Sequence, residues 1–193
     1  HDRLKRELDG QNGAVLHSGM GFARAEMALL GKGFHTAGLS MDAMRMGEQE
    51  QPWMELAVDG ILPCPEPDAE PLSYQTGPAW EAALEASIQN GRSDHWYGHY
   101  QLGVMYASAG KNQAAGKEFR RSLECARNPW ALRCLALLED KGGDSARAAD
   151  LLCEAAERKP IRPLAVEALE LLAKTRQYQR MYGFLDKLPA EVR

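Results

Sequence analysis

An excess of positive charge is missing from this sequence: 23 Lys and Arg stand against 27 Asp and Glu, a net charge of -4. A general nucleic-acid binder concentrates cations on one face to displace counterions from phosphates, so no nucleic-acid partner is expected. Long apolar runs are missing too. None approaches the roughly 18 residues that span a bilayer, and no basic stretch followed by an apolar one opens the chain, so neither a membrane partner nor a signal peptide is expected. Closely spaced cysteines are the third absence. Cys64, Cys125, Cys134 and Cys153 form neither the near pairs of a zinc site nor the density of a secreted disulfide framework, which points to reduced thiols and a cytoplasmic setting.

What is present is a globular composition, 45% hydrophobic and 26% charged over 193 residues, enough to bury a core without disulfides. The charge is uneven. Residues 1–70 hold 6 Lys/Arg and 12 Asp/Glu, whereas residues 71–193 hold 17 and 15. Glu66, Asp68 and Glu70 are interleaved with Pro63, Pro65, Pro67 and Pro71, an acidic, extended connector that continues neither a helix nor a central strand. It divides an irregular N-terminal segment, 1–70, from a helical part, 71–193.

The helical part repeats. Leu102, Gly103, Tyr106, Ala115 and Phe119 fall at helical spacings, and adding 33 to each position of this segment leads from Leu102 to Leu135, Gly103 to Ala136, Ala115 to Ala148, Phe119 to Leu152 and Ser122 to Ala155. Small positions stay small and large ones stay apolar, as expected where two helices cross closely. A second addition reaches Ala168, Leu169, Met181, Leu185 and Leu188, where small slots fill with Leu and Met, so the third unit is degenerate and cap-like. Gly110 and Gly143 end helices 33 apart, Arg176 takes the next slot, and Asn112 and Asp144 are the expected N-caps. Pro129 and Pro160 open or precede helices, and Pro78 starts one over about 78–89 in which Trp80, Leu84, Ser87 and Ile88 share a face.

The order Leu102-Gly103, Tyr106, Ala115, Phe119 resembles the tetratricopeptide (TPR) pattern W-x-x-L-G-x-x-Y followed by A-x-x-x-F, departing from it at the first slot, where His99 replaces Trp. The resemblance implies a mainly α fold, a TPR-like solenoid of helix pairs over about 96–128, 129–161 and 162–193. Tyr106 becomes Glu139 in the second unit, a carboxylate where the family has an aromatic ring. By the same resemblance the groove-facing positions are Tyr97, Tyr100 and Val104, then Trp130, Arg133 and Leu137, then Val166 and Glu170, with at least two of them exposed. The Lys-Asn clamp by which some TPR domains hold a terminal carboxylate is absent, because Tyr100 and Val104 stand in those slots.

Glycines at 10, 13, 19, 21, 31, 33 and 38 break the N-terminal segment into short elements. The run from Phe22 to Leu30 reads as a helix with Phe22, Ala25, Leu29 and Leu30 on one side, and Ala14-Val15-Leu16 as a short strand. Met20, Met27, Met41, Met44, Met46 and Met54 fall here and read as core filling. The stretches from His17 to Ala25, Gln51-Pro-Trp53-Met-Glu55 and Asn128-Pro-Trp-Ala-Leu-Arg133 are also similar to the C-terminal part of long bacterial TPR-bearing proteins of unassigned function with a carbohydrate-enzyme-like middle section. That similarity implies that the chain is a C-terminal piece and that any sugar chemistry lies upstream.

No catalytic residues are expected: neither a Gly-x-Ser-x-Gly elbow nor a phosphate-cradling Gly-rich loop is present. His95 and His99 share a helix face at i, i+4, the spacing of two zinc ligands, yet no third ligand accompanies them in sequence. No metal or cofactor is assigned, and His99 is expected to pack in the Trp slot. Arg120 and Arg121, with Lys117 and Arg127 nearby, read as a solvated outer face. The expectation is a non-catalytic scaffold for a protein or peptide, its own upstream domain or a second copy. The alternative is an accessory helical domain of a carbohydrate-active protein, lending Trp96, Tyr97 or Trp130 to a sugar site.

Overall fold

The computed structural model describes residues 20–32 and 47–193. They form helices α1 (Met20–Leu29), α2 (Gln51–Asp59), α3 (Pro78–Gln89), α4 (Trp96–Ser108), α5 (Asn112–Cys125), α6 (Pro129–Lys141), α7 (Ser145–Arg158), α8 (Arg162–Lys174) and α9 (Tyr178–Lys187), with no strand among the described residues. The expected strand at Ala14-Val15-Leu16, and Met41, Met44 and Met46, lie outside the described residues. In α1 Ala25 is fully buried and Phe22 and Leu29 pack against the core, while Leu30 is exposed just past the helix.

Local chemistry starts and stops these helices. Proline stands in the first turn of α2, α3, α6 and α8, where its missing N–H costs no helical bond and its fixed φ suits the start. Asn128 caps α6 by accepting from the Ala131 N–H, and Asp144 caps α7 by accepting from Arg147 N–H. Asn112 is not a cap: it is already the first residue of α5, and Lys111 precedes it without a side-chain bond.

Gly110, Gly143 and Arg176 all adopt positive φ, at 74°, 94° and 57°. Each turn closes identically. The next residue's N–H returns to a carbonyl five residues back, Lys111 to Tyr106, Asp144 to Glu139 and Gln177 to Leu172, at 2.8–2.9 Å. These bonds satisfy carbonyls that a helix end leaves open. Arg176 is the one non-glycine at positive φ among the described residues.

The three turns join α4 to α5, α6 to α7 and α8 to α9, and each helix from α3 onward also packs on the next. One apolar cluster gathers Trp53, Trp80, Trp96, Leu102 and Phe119; a second gathers Leu132, Ala148, Leu152, Leu164 and Phe184. Helices α4 and α5 approach each other closely at Gly103. A Cβ placed on Gly103 would lie 2.6 Å from Phe119 Cε1 and 2.7 Å from its Cδ1. Only hydrogen fits there, so the ring lies directly against the α4 backbone.

Two predictions follow from these contacts. Gly103→Ala gains up to about 1 kcal/mol of helix propensity and loses about 1–3 kcal/mol to overpacking, so a net loss is expected. Adding Phe119→Leu to it restores part of that loss, read as coupling in a double-mutant cycle of urea unfolding. Arg176→Gly removes the left-handed strain and raises stability by about 0.5–1 kcal/mol, seen as a higher urea midpoint at unchanged slope.

Candidate functional site

Helix α4 carries no Asp, Glu, Lys or Arg, and nine of its thirteen residues are buried. A helix apolar around most of its circumference must be covered on several sides. On one side the cover is α5. On another it is the chain's own connector, residues 61–77.

The connector runs mostly without helix, with a turn at 67–69 closed by Ala69 N–H onto Glu66 carbonyl. Through residues 63–76 burial alternates strictly: odd positions are half-buried and even ones exposed. A two-residue period is that of extended backbone. It turns Pro63, Pro65, Pro67 and Pro71 inward, and Glu66, Asp68 and Glu70 to solvent.

Its backbone is held at both ends. The Leu62 N–H donates to Ser93 Oγ, and the Leu62 carbonyl accepts from His95 Nε2. The Trp96 indole N–H donates to Pro65 carbonyl at 2.8 Å, and Gln101 Nε2 to Ser73 carbonyl at 3.1 Å. The Tyr74 and Tyr100 hydroxyls meet at 3.0 Å. Ser73 also ties the connector to α2, accepting from the Trp53 indole and donating to Gln49 carbonyl.

The expected groove residues therefore divide into two groups. Tyr97, Tyr100 and Trp130 are buried, at 6%, 4% and 9% exposure, and this corrects any picture of them as open anchors. Tyr97 and Tyr100 stack in an aromatic set with Trp96 and, through Tyr100, with Phe119. Burial pushes both tyrosine hydroxyls above the ordinary value, and it raises the Cys134 thiol beside Tyr100 to about 11. None of Trp96, Tyr97 and Trp130 presents a ring face on which a sugar could stack.

Val104 and Arg133 are half-buried, and Leu137, Val166 and Glu170 are exposed. A cleft of about 230 Å³ between α6 and α8 is lined by Leu137, Leu171, Asp140, Glu167, Glu170 and Lys174. Arg133 grips Glu167 through two bonds of 2.7 Å, and Lys174 grips Asp140 at 2.9 Å. The cleft thus has an apolar floor between two ion pairs. Tyr74, at the far end of the docked connector, lies within the electrostatic reach of Arg133.

A second constellation sits on the side of α4 that faces α5. His99 is 5% exposed and lies between two carboxylates: Nδ1 meets Glu118 Oε2 at 2.7 Å and Nε2 meets Asp94 Oδ1 at 2.8 Å. Ligand atoms of Asp94, His99 and Cys125 all lie within 4.8 Å of one another. The Glu118 hydrogen bond, aided by that of Asp94, outweighs burial and raises the His99 pKa. The bond from His99 lowers that of Asp94. His95 takes no part. Its Nδ1 accepts from Gly98 N–H, its Nε2 donates to Leu62 carbonyl, and burial lowers its pKa.

His99 is thus held between two carboxylates and is not an apolar filler. The i, i+4 spacing that singled out both histidines brings in only one of them. Asp94, Glu118 and Cys125 were invisible in sequence, because separations of 5, 19 and 26 residues from His99 match no motif. The only available signal was a carboxylate immediately before Phe119 and a Cys at a helix end.

Arg120 and Arg121 lie on the outer surface, bonded to Glu139 and Glu124. No described helix is long and apolar enough to cross a membrane. No family model matches the chain, and neither a curated protein nor a solved structure matches it.

The His99 contacts set a pH dependence. A raised histidine pKa contributes stability that is complete below the unfolded value of 6.5 and is lost as pH rises through the folded value. His95 has the opposite sign and acts below 6.5, and the raised cysteines act above their ordinary 9.0. Between pH 6.5 and 8 the urea midpoint should therefore fall in the wild type, and this slope should flatten in His99→Gln.

Proposed function

We propose that this chain is a non-catalytic scaffold of TPR-like helix pairs that holds extended polypeptide along the face built by α4, α6 and α8. One observation carries the reading. The chain already lays an extended, proline-bearing segment of its own on the α4 part of that face, with prolines inward and carbonyls bonded to Trp96 and Gln101.

This is a recognised physical mode of peptide binding: prolines limit the entropy lost on docking, and aromatic donors take the carbonyls. Helix pairs beginning at Trp96, Pro129 and Arg162, 33 residues apart, with equivalent turns at Gly110, Gly143 and Arg176, support the TPR-like reading. The register that relates Tyr100, which meets Tyr74 of the connector, to Arg133 and then Val166 also relates Val104 to Leu137 and then Glu170, along the remainder of the face. There the cleft between α6 and α8 is open, apolar at Leu137 and Leu171 and polar at its rims. It suits a short extended peptide with one apolar side chain, its backbone flanked by Glu170 and Lys174.

The test is selection of a displayed peptide library on the full chain, followed by titration of the enriched sequences. Apolar-bearing extended peptides should bind the wild type and lose at least tenfold, about 1.4 kcal/mol, with Leu137→Asp. Leu137 is 47% exposed, so the variant should fold with unchanged circular dichroism. Enriched peptides that bind Leu137→Asp equally well would refute the assignment of the cleft.

A further inference from the structure

We propose that Asp94, His99 and Cys125 bind one zinc-class divalent cation where the start of α4 meets the end of α5, with Glu118 orienting the imidazole. The proposal is independent of the peptide reading and uses a different side of α4.

The argument begins with the imidazole. A neutral ring carries one proton, and when it sits on Nδ1 it is donated to Glu118 Oε2 at 2.7 Å. The other nitrogen then turns a lone pair towards Asp94 Oδ1 at 2.8 Å. Two lone pairs do not share that distance unless something positive lies between or beside them. A second ring proton meets that requirement, and so does a metal ion; the third donor atom, Cys125 Sγ, is already within 4.8 Å of the other two.

The donor set matches the cation. Imidazole nitrogen, thiolate sulfur and a carboxylate oxygen together select zinc over the hard cations calcium and magnesium. Metal–ligand bonds of about 2.0–2.3 Å at tetrahedral angles require donor separations of roughly 3.3–3.7 Å. Asp94 draws back slightly from His99 and Cys125 closes in. Both have room to do so, as both are exposed at the surface while the imidazole is fixed beneath them. Their exposure also leaves the fourth position to water.

The Glu118–His99 contact is the carboxylate–histidine pairing that commonly supports zinc ligands by fixing the tautomer and raising basicity. Cys125 is the last residue of α5, where the negative end of the helix dipole favours a cation. Binding would release the Cys125 thiol proton and whatever fraction of His99 carries its second proton, so affinity rises with pH.

The neighbouring groups on every side are accounted for. From α5, Arg121 opposes a cation, but its charge is engaged by Glu124 at 3.0 Å. Next to α4, His95 is bonded to Leu62 and Gly98 and offers no free nitrogen. From the connector, the Cys64 thiol is near enough to Cys125 to feel its charge, which makes it the control.

The experiment is calorimetric titration of the full, reduced chain with zinc chloride at pH 7.5 and pH 6, repeated on Cys125→Ser, Asp94→Asn and Cys64→Ser. Both ligand variants change exposed residues, and circular dichroism confirms their folding. Expected are one zinc per chain, weaker binding at pH 6, and a loss of tenfold or more in Cys125→Ser and Asp94→Asn but not in Cys64→Ser. Cobalt substitution should give a thiolate-to-metal charge-transfer band in the wild type that Cys125→Ser lacks. The absence of zinc uptake would overturn the proposal, as would uptake unchanged in Cys125→Ser and Asp94→Asn. Binding that depends on Cys64 but not on Asp94 would also overturn it.

Discussion

The contact between Gly103 and Phe119 governs the rest of the architecture. Because the ring lies against bare backbone, α4 and α5 approach closely enough to bury Ser122, whose hydroxyl donates to Trp96 carbonyl and accepts from Asn128 Nδ2. Asn128 in turn caps α6. One small residue thus passes its effect from the first helix pair to the start of the second. The same close approach places Glu118 beside His99, since Glu118 adjoins Phe119 in α5. Packing and electrostatics here have a common origin, the absence of a side chain at position 103.

Much of this was legible from spacing. The 33-residue recurrence marked the small and large slots, and the structure shows why Gly103 is small, Phe119 large, and Gly110 and Gly143 free of a Cβ. Arg176 was legible only as a gap in the pattern; its positive φ shows that the turn geometry outlasts the residue best suited to it. Asn112 misled because capping preference belongs to a position, and the helix begins one residue earlier than that position requires. The connector was readable as extended and acidic. Its docking was not, although both halves of the signal were present: α4 lacks charges, and the connector carries prolines on odd positions and acids on even ones. A helix without a polar face needs a cover, and a segment with a two-residue alternation has one face to give.

The His99 constellation was illegible for a different reason. Its members come from three places in the chain, and only the helix crossing unites them. Helical periodicity predicts neighbours within a helix. It is silent about which residue of the next helix stands opposite. The pairing of His99 with Glu118 instead of with His95 is a property of the α4–α5 interface, which depends on the Gly103 contact.

The connector's attachment also explains how a short segment stays in place. Each hydrogen bond contributes only about 0.5–1.5 kcal/mol net, and ordering a residue's backbone costs about 1–2 kcal/mol, so bonds alone would not hold a flexible strand. Four prolines reduce the entropy to be lost, since their φ is fixed in the unfolded chain as well. Burial of Leu62 and the half-buried odd positions supplies the apolar term. The acids on the even positions add nothing to docking; they keep the outer surface hydrated and discourage a second chain from stacking on the exposed backbone edge. Docking strength and solubility are therefore divided between the two sides of one segment, and the division follows from nothing more than the alternation of its sequence.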